Sequence, residues 1–173
     1  MIKTYYLLLF VLISAFKMQA QILTWHYRKF ELKNVTASLV QLNGEEVLKV
    51  ERDLKALPFD VNRLEATVDE PTYVKLKDFN FESGTIEVKV LSQIQEPSPF
   101  ELAQGFIGVA FRIDKNDSAY ESIYLRPKVG RSDNQMFRNH TVQYYSYPNY
   151  KFETLRKLER GMYETSAPVN LNE

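Results

Sequence analysis

Between Arg112 and Tyr145 the sequence gathers eleven side chains able to hydrogen-bond, stack or move a proton: Arg112, Tyr120, Tyr124, Arg126, Arg131, Arg138, Asn139, His140, Gln143, Tyr144 and Tyr145. Aromatic rings stack on the apolar faces of sugars, while Arg, Asn, Gln and His reach vicinal hydroxyls. Seven of the nine tyrosines beyond residue 20 lie between Tyr120 and Tyr163. This mixture suits a carbohydrate groove, because binding clefts set a few convergent polar groups among aromatics. The plainer reading is that Tyr and Arg pair well across strands. It predicts that they pack against one another and leave no cleft.

His140 is the residue of this window suited to proton transfer near neutral pH. The other histidine, His26, is far away in sequence and no His-Glu-x-x-His spacing occurs, so a two-histidine metal site has little support. Asp114-Lys115-Asn116-Asp117 offers oxygen ligands to calcium, the one cofactor the sequence suggests. It lacks the glycine and distal glutamate of an EF-hand loop, so a turn is the expected structure.

The elements that must position these groups have a period of two. Ala37 to Leu42 and Glu46 to Glu51 flank Asn43-Gly44, a strong hairpin signal. Thr85 to Leu91 alternates, with Ile86, Val88 and Val90 on one face, and reads as a half-buried strand. Gly105 to Ile113 and Ser118 to Arg126 follow, then Thr141 to Tyr145 and Met162 to Val169. Asn149 to Arg160 alone has helical character, and Leu54 to Leu64 has no sustained apolar face. If Ile107, Val109, Phe111 and Ile113 face the core with Ile123 and Leu125, then Gly108, Ala110, Arg112, Tyr124 and Arg126 share the other face. Small residues beside Arg and Tyr imply room on that face. Glu96-Pro97-Ser98-Pro99 reads as a rigid loop between central strands, able to cap one end of a groove. The expected fold is all-β, a single antiparallel sandwich over residues 21–173.

Composition narrows the function. The chain has 173 residues, 22 basic and 22 acidic, giving zero net charge. A nucleic-acid binder would carry a basic excess. With no Cys, thiol catalysis, disulfides and Cys-ligated zinc are excluded. Met1 to Ala20 reads as a signal peptide, with Lys3 before an apolar run from Tyr5 to Phe16 and Gln19-Ala20 as a cleavage point. It is too short and wrongly flanked to span a membrane. The expected product is exported, periplasmic or extracellular, with no transmembrane segment.

Gly105-Phe106-Ile107-Gly108-Val109-Ala110-Phe111-Arg112, Tyr120-Glu121-Ser122-Ile123-Tyr124-Leu125-Arg126-Pro127, Arg138-Asn139-His140 and Tyr147-Pro148 resemble segments of a known group. These are exported bacterial proteins of the concanavalin A-like lectin/glucanase fold. The nearest resemblance is to the domain family tied to 3-keto-disaccharide hydrolysis, and a looser one is to laminin G-like jelly rolls. It covers roughly Phe79 to the C-terminus. It implies a jelly roll with sugar bound on the concave sheet by Arg112, Tyr124, Arg126 and the segment from Arg138 through Asn139 to Gln143; Arg131 and Tyr145 of the same window are further candidate substrate contacts. Members continue with a Trp-led strand and further strands beyond the point matching Asn170-Leu171-Asn172-Glu173, so exposed strand edges are expected here.

Chemistry follows from the residues and the resemblance together. Glucanases of this fold carry Glu-x-Asp-x-x-Glu, whereas Glu51-Arg52-Asp53 is followed by Ala56 at the last position. A two-carboxylate glycosidase site is therefore not complete. On a 3-keto-glycoside, His140 would act as base and Arg112 and Arg126 would supply the positive field. The sequence thus leaves two functions open, a glycoside hydrolase or lyase and a non-catalytic carbohydrate-binding or interaction module.

Overall fold

The computed structural model describes residues 21–96, 98 and 100–173. The signal segment and two prolines of the 96–99 loop, Pro97 and Pro99, lie outside the described residues. The fold is all-β and antiparallel. Among the described residues nine strands form three sheets, in the orders β1-β2-β5, β3-β4 and β6-β7-β8-β9.

Two hairpins open the chain. β1 (Ile22–Trp25) and β2 (Arg28–Lys33) are joined by His26 and Tyr27, both with positive φ (46° and 61°). β3 (Val35–Leu42) and β4 (Glu45–Arg52) are joined by Asn43-Gly44, at φ 51° and 85°. The tight twisted turns of such hairpins require positive φ at both central residues. The second hairpin carries the Asn-Gly signal; the first makes the same turn without it.

From Asp53 to Thr72 the chain is an irregular loop, with one 3₁₀ turn at Leu64–Ala66. Arg52 organises it. Its Nε donates to the carbonyl of Leu57 at 2.9 Å and its Nη2 to that of Thr67 at 2.6 Å. The guanidinium also sits 3.8 Å from the ring centroid of Phe59. β5 (Tyr73–Leu76) then pairs with β2.

The remaining sheet is a meander of β6 (Ile107–Phe111), β7 (Tyr120–Leu125), β8 (Val142–Tyr147) and β9 (Glu164–Thr165). A short helix α1 (Gln135–Arg138) precedes β8, with Asn134 accepting from the Met136 N–H as its cap. The helix expected within Asn149 to Arg160 is present as α2 (Phe152–Leu158). The strand expected from Met162 to Val169 shortens to the two residues of β9, because Gly161 and Pro168 bound it with turn and irregular backbone.

Thr85 to Leu91 is not a strand. No strand is assigned there, and Ile86, Val88 and Val90 are 49%, 55% and 38% exposed. The alternation is present in the sequence, but among the described residues no neighbour supplies a ladder for it.

The interior is small and unusually polar. Val35, Tyr73, Tyr120 and Leu155 are buried together with Ser92, Ser122, Arg126, Thr141 and Gln143. Polar burial of this kind holds only if hydrogen bonds are complete. Tyr73 of β5 meets Tyr120 of β7 edge-on at 5.3 Å, and its hydroxyl donates to Asp117 at 3.0 Å. Lys75 forms an ion pair with the same carboxylate. These contacts tie the first sheet to the third. Among the described residues no helix is long and apolar enough to cross a membrane.

Candidate functional site

The register of β7 against β8 decides which side chains meet. Ser122 lies opposite Tyr145, Tyr124 opposite Gln143, and Tyr120 opposite Tyr147. Tyr124, Arg126, Gln143 and Tyr145 therefore share one face, as the alternation requires. That face is the covered one. Arg126 is 7% exposed and Gln143 is fully buried, whereas Ile123 on the opposite face is 48% exposed. Period-two alternation sorts side chains into faces but does not say which face the next layer covers.

Arg126 is the centre of this layer. Its guanidinium donates to the His140 carbonyl at 2.8 Å and to the Tyr124 hydroxyl. It also lies over the rings of Tyr124 and Phe152, at 4.8 Å and 5.2 Å. Burial pulls its pKa down, against the attraction of nearby phenol and carboxylates. Tyr120 and Tyr145 share a 2.6 Å hydroxyl contact. Burial raises both Tyr120 and Tyr124 to about 12, so these phenols stay neutral. Gln143 Nε2 donates to the Tyr144 and Tyr163 carbonyls, at 2.7 Å and 3.0 Å.

The room inferred at Gly108 is absent. A Cβ added there would meet the Ile123 carbonyl and the Tyr124 Cα of the neighbouring strand. Gly108 is small because β7 approaches it, not because a ligand does.

Arg112 stands apart from Arg126. Its φ of 52° takes it out of the strand after Phe111. Its exposed guanidinium pairs with Glu121 at 2.7 Å, and Glu121 also accepts from the Tyr144 hydroxyl at 2.9 Å. Arg131 reaches the Glu173 carboxylate at 2.7 Å, also at the surface. Arg138 donates to the Ser132 and Asp133 carbonyls and to the Gln135 side chain, closing its own turn. Asn139 Oδ1 accepts from Gln135 Nε2 at 2.6 Å. In the Asp114 loop, Asp114 accepts from the N–H groups of Asn116 and Ser118, making the expected turn.

His140 lies in a different setting. A cleft of about 220 Å³ is lined by Met136, Asn139, His140, Arg160, Gly161, Glu164 and Thr165. His140 Nδ1 is turned inward, 2.8 Å from Glu164 Oε2, though its N–H is poorly aligned with that oxygen. The contact is therefore a close polar approach and not a linear hydrogen bond. The same oxygen accepts from Arg156, with Nε at 2.9 Å and Nη2 at 2.8 Å. Burial pushes the Glu164 pKa up, but Arg156 and His140 outweigh it and hold the acid below its ordinary value. With Nδ1 held inward, Nε2 is the ring nitrogen left for a ligand. Glu164 is not legible as a site residue in the sequence, since it belongs to a two-residue strand with no motif around it.

Asp69 and Glu70 are the other acids that sequence reasoning passed over. The loop pinned by Arg52 carries them to the tyrosine layer, where Glu70 accepts from the Tyr147 hydroxyl at 2.8 Å and lies 3.5 Å from Lys151 Nζ. Burial raises the Asp69 pKa despite the nearby charges of Lys151 and Arg126. An acid with a raised folded pKa favours folding below its unfolded pKa, and that advantage is lost as pH rises through the folded value. Asp69→Asn is therefore expected to raise the melting temperature at pH 7 and leave it nearly unchanged near pH 2. Thermal melts at the two pH values check this.

Comparison with known proteins gives no match: no family model, no curated protein and no solved structure is similar to the chain.

Proposed function

We propose that the chain is an exported carbohydrate-active protein whose sugar site is the cleft beside His140. The observation that carries this reading is the approach of His140 Nδ1 to Glu164 Oε2 at 2.8 Å beside an open cleft, which leaves Nε2 as the ring nitrogen for a ligand. At about 220 Å³ the cleft suits a single sugar residue better than an extended glycan, since drug-sized ligands occupy roughly 300 Å³ or more. Export rests on the signal-like composition of residues 1–20.

Among the described residues Glu164 is the one carboxylate lining the cleft, and Arg156 already pairs with it. A two-carboxylate glycosidase mechanism therefore has no partner acid there. Proton abstraction next to a ketone needs one base and one cation. His140 Nε2 would take the proton from the carbon beside the keto group of a 3-keto-glycoside, and the electron pair would form the enolate. Collapse of the enolate would break the bond to the leaving-group oxygen on the adjacent carbon. Arg160, lining the cleft, would stabilise the developing negative charge. Arg112, paired on the opposite face of the sheet, takes no part, and Arg126 supports His140 from its carbonyl side.

The second reading is a non-catalytic sugar-binding module, favoured by the same shortage of carboxylates. Turnover of a 3-keto-glycoside and calorimetric binding of the parent sugar separate the two. His140→Ala is expected to lower turnover by about 10²–10⁴ while sugar still binds. Binding without turnover in the parent protein selects the module. No binding of any simple sugar, from a protein that melts cooperatively, overturns both.

A further inference from the structure

The segment Thr85 to Leu91 presents an apolar row, Ile86, Val88 and Val90, to solvent. Phe79 and Phe81, just before it in the chain and also exposed, stack on each other at 6.4 Å. Among the described residues its backbone makes no strand ladder and no backbone–backbone hydrogen bond. An apolar row with free N–H and C=O groups is a template for another strand. What distinguishes this one is its charge pattern. Glu87 and Lys89 flank Val88, and among the described residues neither forms an ion pair.

We propose that this segment is a homodimer interface, in which two copies pair antiparallel about a two-fold axis through Val88. In that register Glu87 of one copy lies opposite Lys89 of the other, and the reverse pair forms by symmetry. Ile86 lies opposite Val90, and Val88 opposite its own counterpart, so the apolar rows join into one. Centring the axis on Glu87 or on Lys89 would set like charges face to face, which destabilises a pair of strands. Axes between residues would mix the two faces. The sequence thus favours a single register, and a self-complementary patch is what a two-fold contact requires.

Sedimentation velocity on the purified full chain tests the proposal. The parent protein is expected to show a concentration-dependent dimer. Glu87→Lys and Lys89→Glu each place like charges at both cross-strand pairs, and each is expected to raise the dissociation constant roughly tenfold or more. An equimolar mixture of the two variants restores both pairs and is expected to re-form a dimer, and the double reversal in one chain is expected to do the same. Both positions are exposed, so each variant should melt like the parent when compared at a concentration where all are monomeric. A monomeric parent, insensitivity to either reversal, or failure of the mixture to pair overturns the proposal.

Discussion

Replacing Arg126 with alanine is expected to cost about 2–4 kcal/mol, because two buried neutral groups lose their donor at roughly 1–3 kcal/mol each. For a chain of this size that lowers the melting temperature by roughly 10 °C. The deletion leaves the His140 carbonyl and the Tyr124 hydroxyl without their donor, and removes the planar group seated between the Tyr124 and Phe152 rings. Unpaired buried polar groups, and not the lost attraction alone, account for most of the effect. Arg131→Ala is the matched control. That exposed pair with Glu173 should contribute less than about 1 kcal/mol. Urea denaturation of the two variants gives the comparison, and equal losses would show that Arg126 does not hold the layer.

The second large effect is at Gly108. Alanine there drives its Cβ into the backbone of β7, at the Ile123 carbonyl and the Tyr124 Cα. Neither backbone atom can rotate away, so β6 must separate from β7, and overpacking of this kind costs about 1–3 kcal/mol or more. Gly44→Ala makes the contrast. Nothing lies within 4 Å of a Cβ at Gly44, and the cost there comes from its φ of 85° alone. A left-handed alanine costs about 1 kcal/mol, so Gly108→Ala should shift the urea midpoint further than Gly44→Ala. The reverse order would mean that the β6–β7 spacing is looser than described.

These two positions also show what was legible in the sequence. The strands around Arg126 and Gly108, the Asn43-Gly44 hairpin and the helix after Asn149 all follow from local periodicity and turn chemistry. So does the placing of Tyr124 and Arg126 on one face, though Arg112, expected with them, turns away, and it is the β7–β8 register that adds Gln143 and Tyr145. What local pattern does not encode is the identity of the covering layer. Ile123 is apolar yet exposed, and Arg126 is charged yet buried, because Phe152 and the loop bearing Asp69 close over the polar side. The same limit applies to Thr85–Leu91, whose alternation is genuine but which no strand among the described residues pairs with. His26-Tyr27 makes a hairpin turn with residues that rarely announce one. Glu164 joins His140 only through the pairing of β8 with β9, a contact between segments twenty or more residues apart.

The loop between β4 and β5 depends on one side chain. Arg52 ties carbonyls at both ends of that loop and clamps Phe59 between them. Its many bonds converge on a single guanidinium, so the loop gains or loses its order as a whole and not residue by residue. Asp69 and Glu70 travel with it. The negative charge beside the tyrosine layer is thus presented as a package, and a fluctuation that releases Arg52 would withdraw both acids at once. The sheet face, left with Arg126 and Lys151, would then become more positive without any movement of the strands themselves.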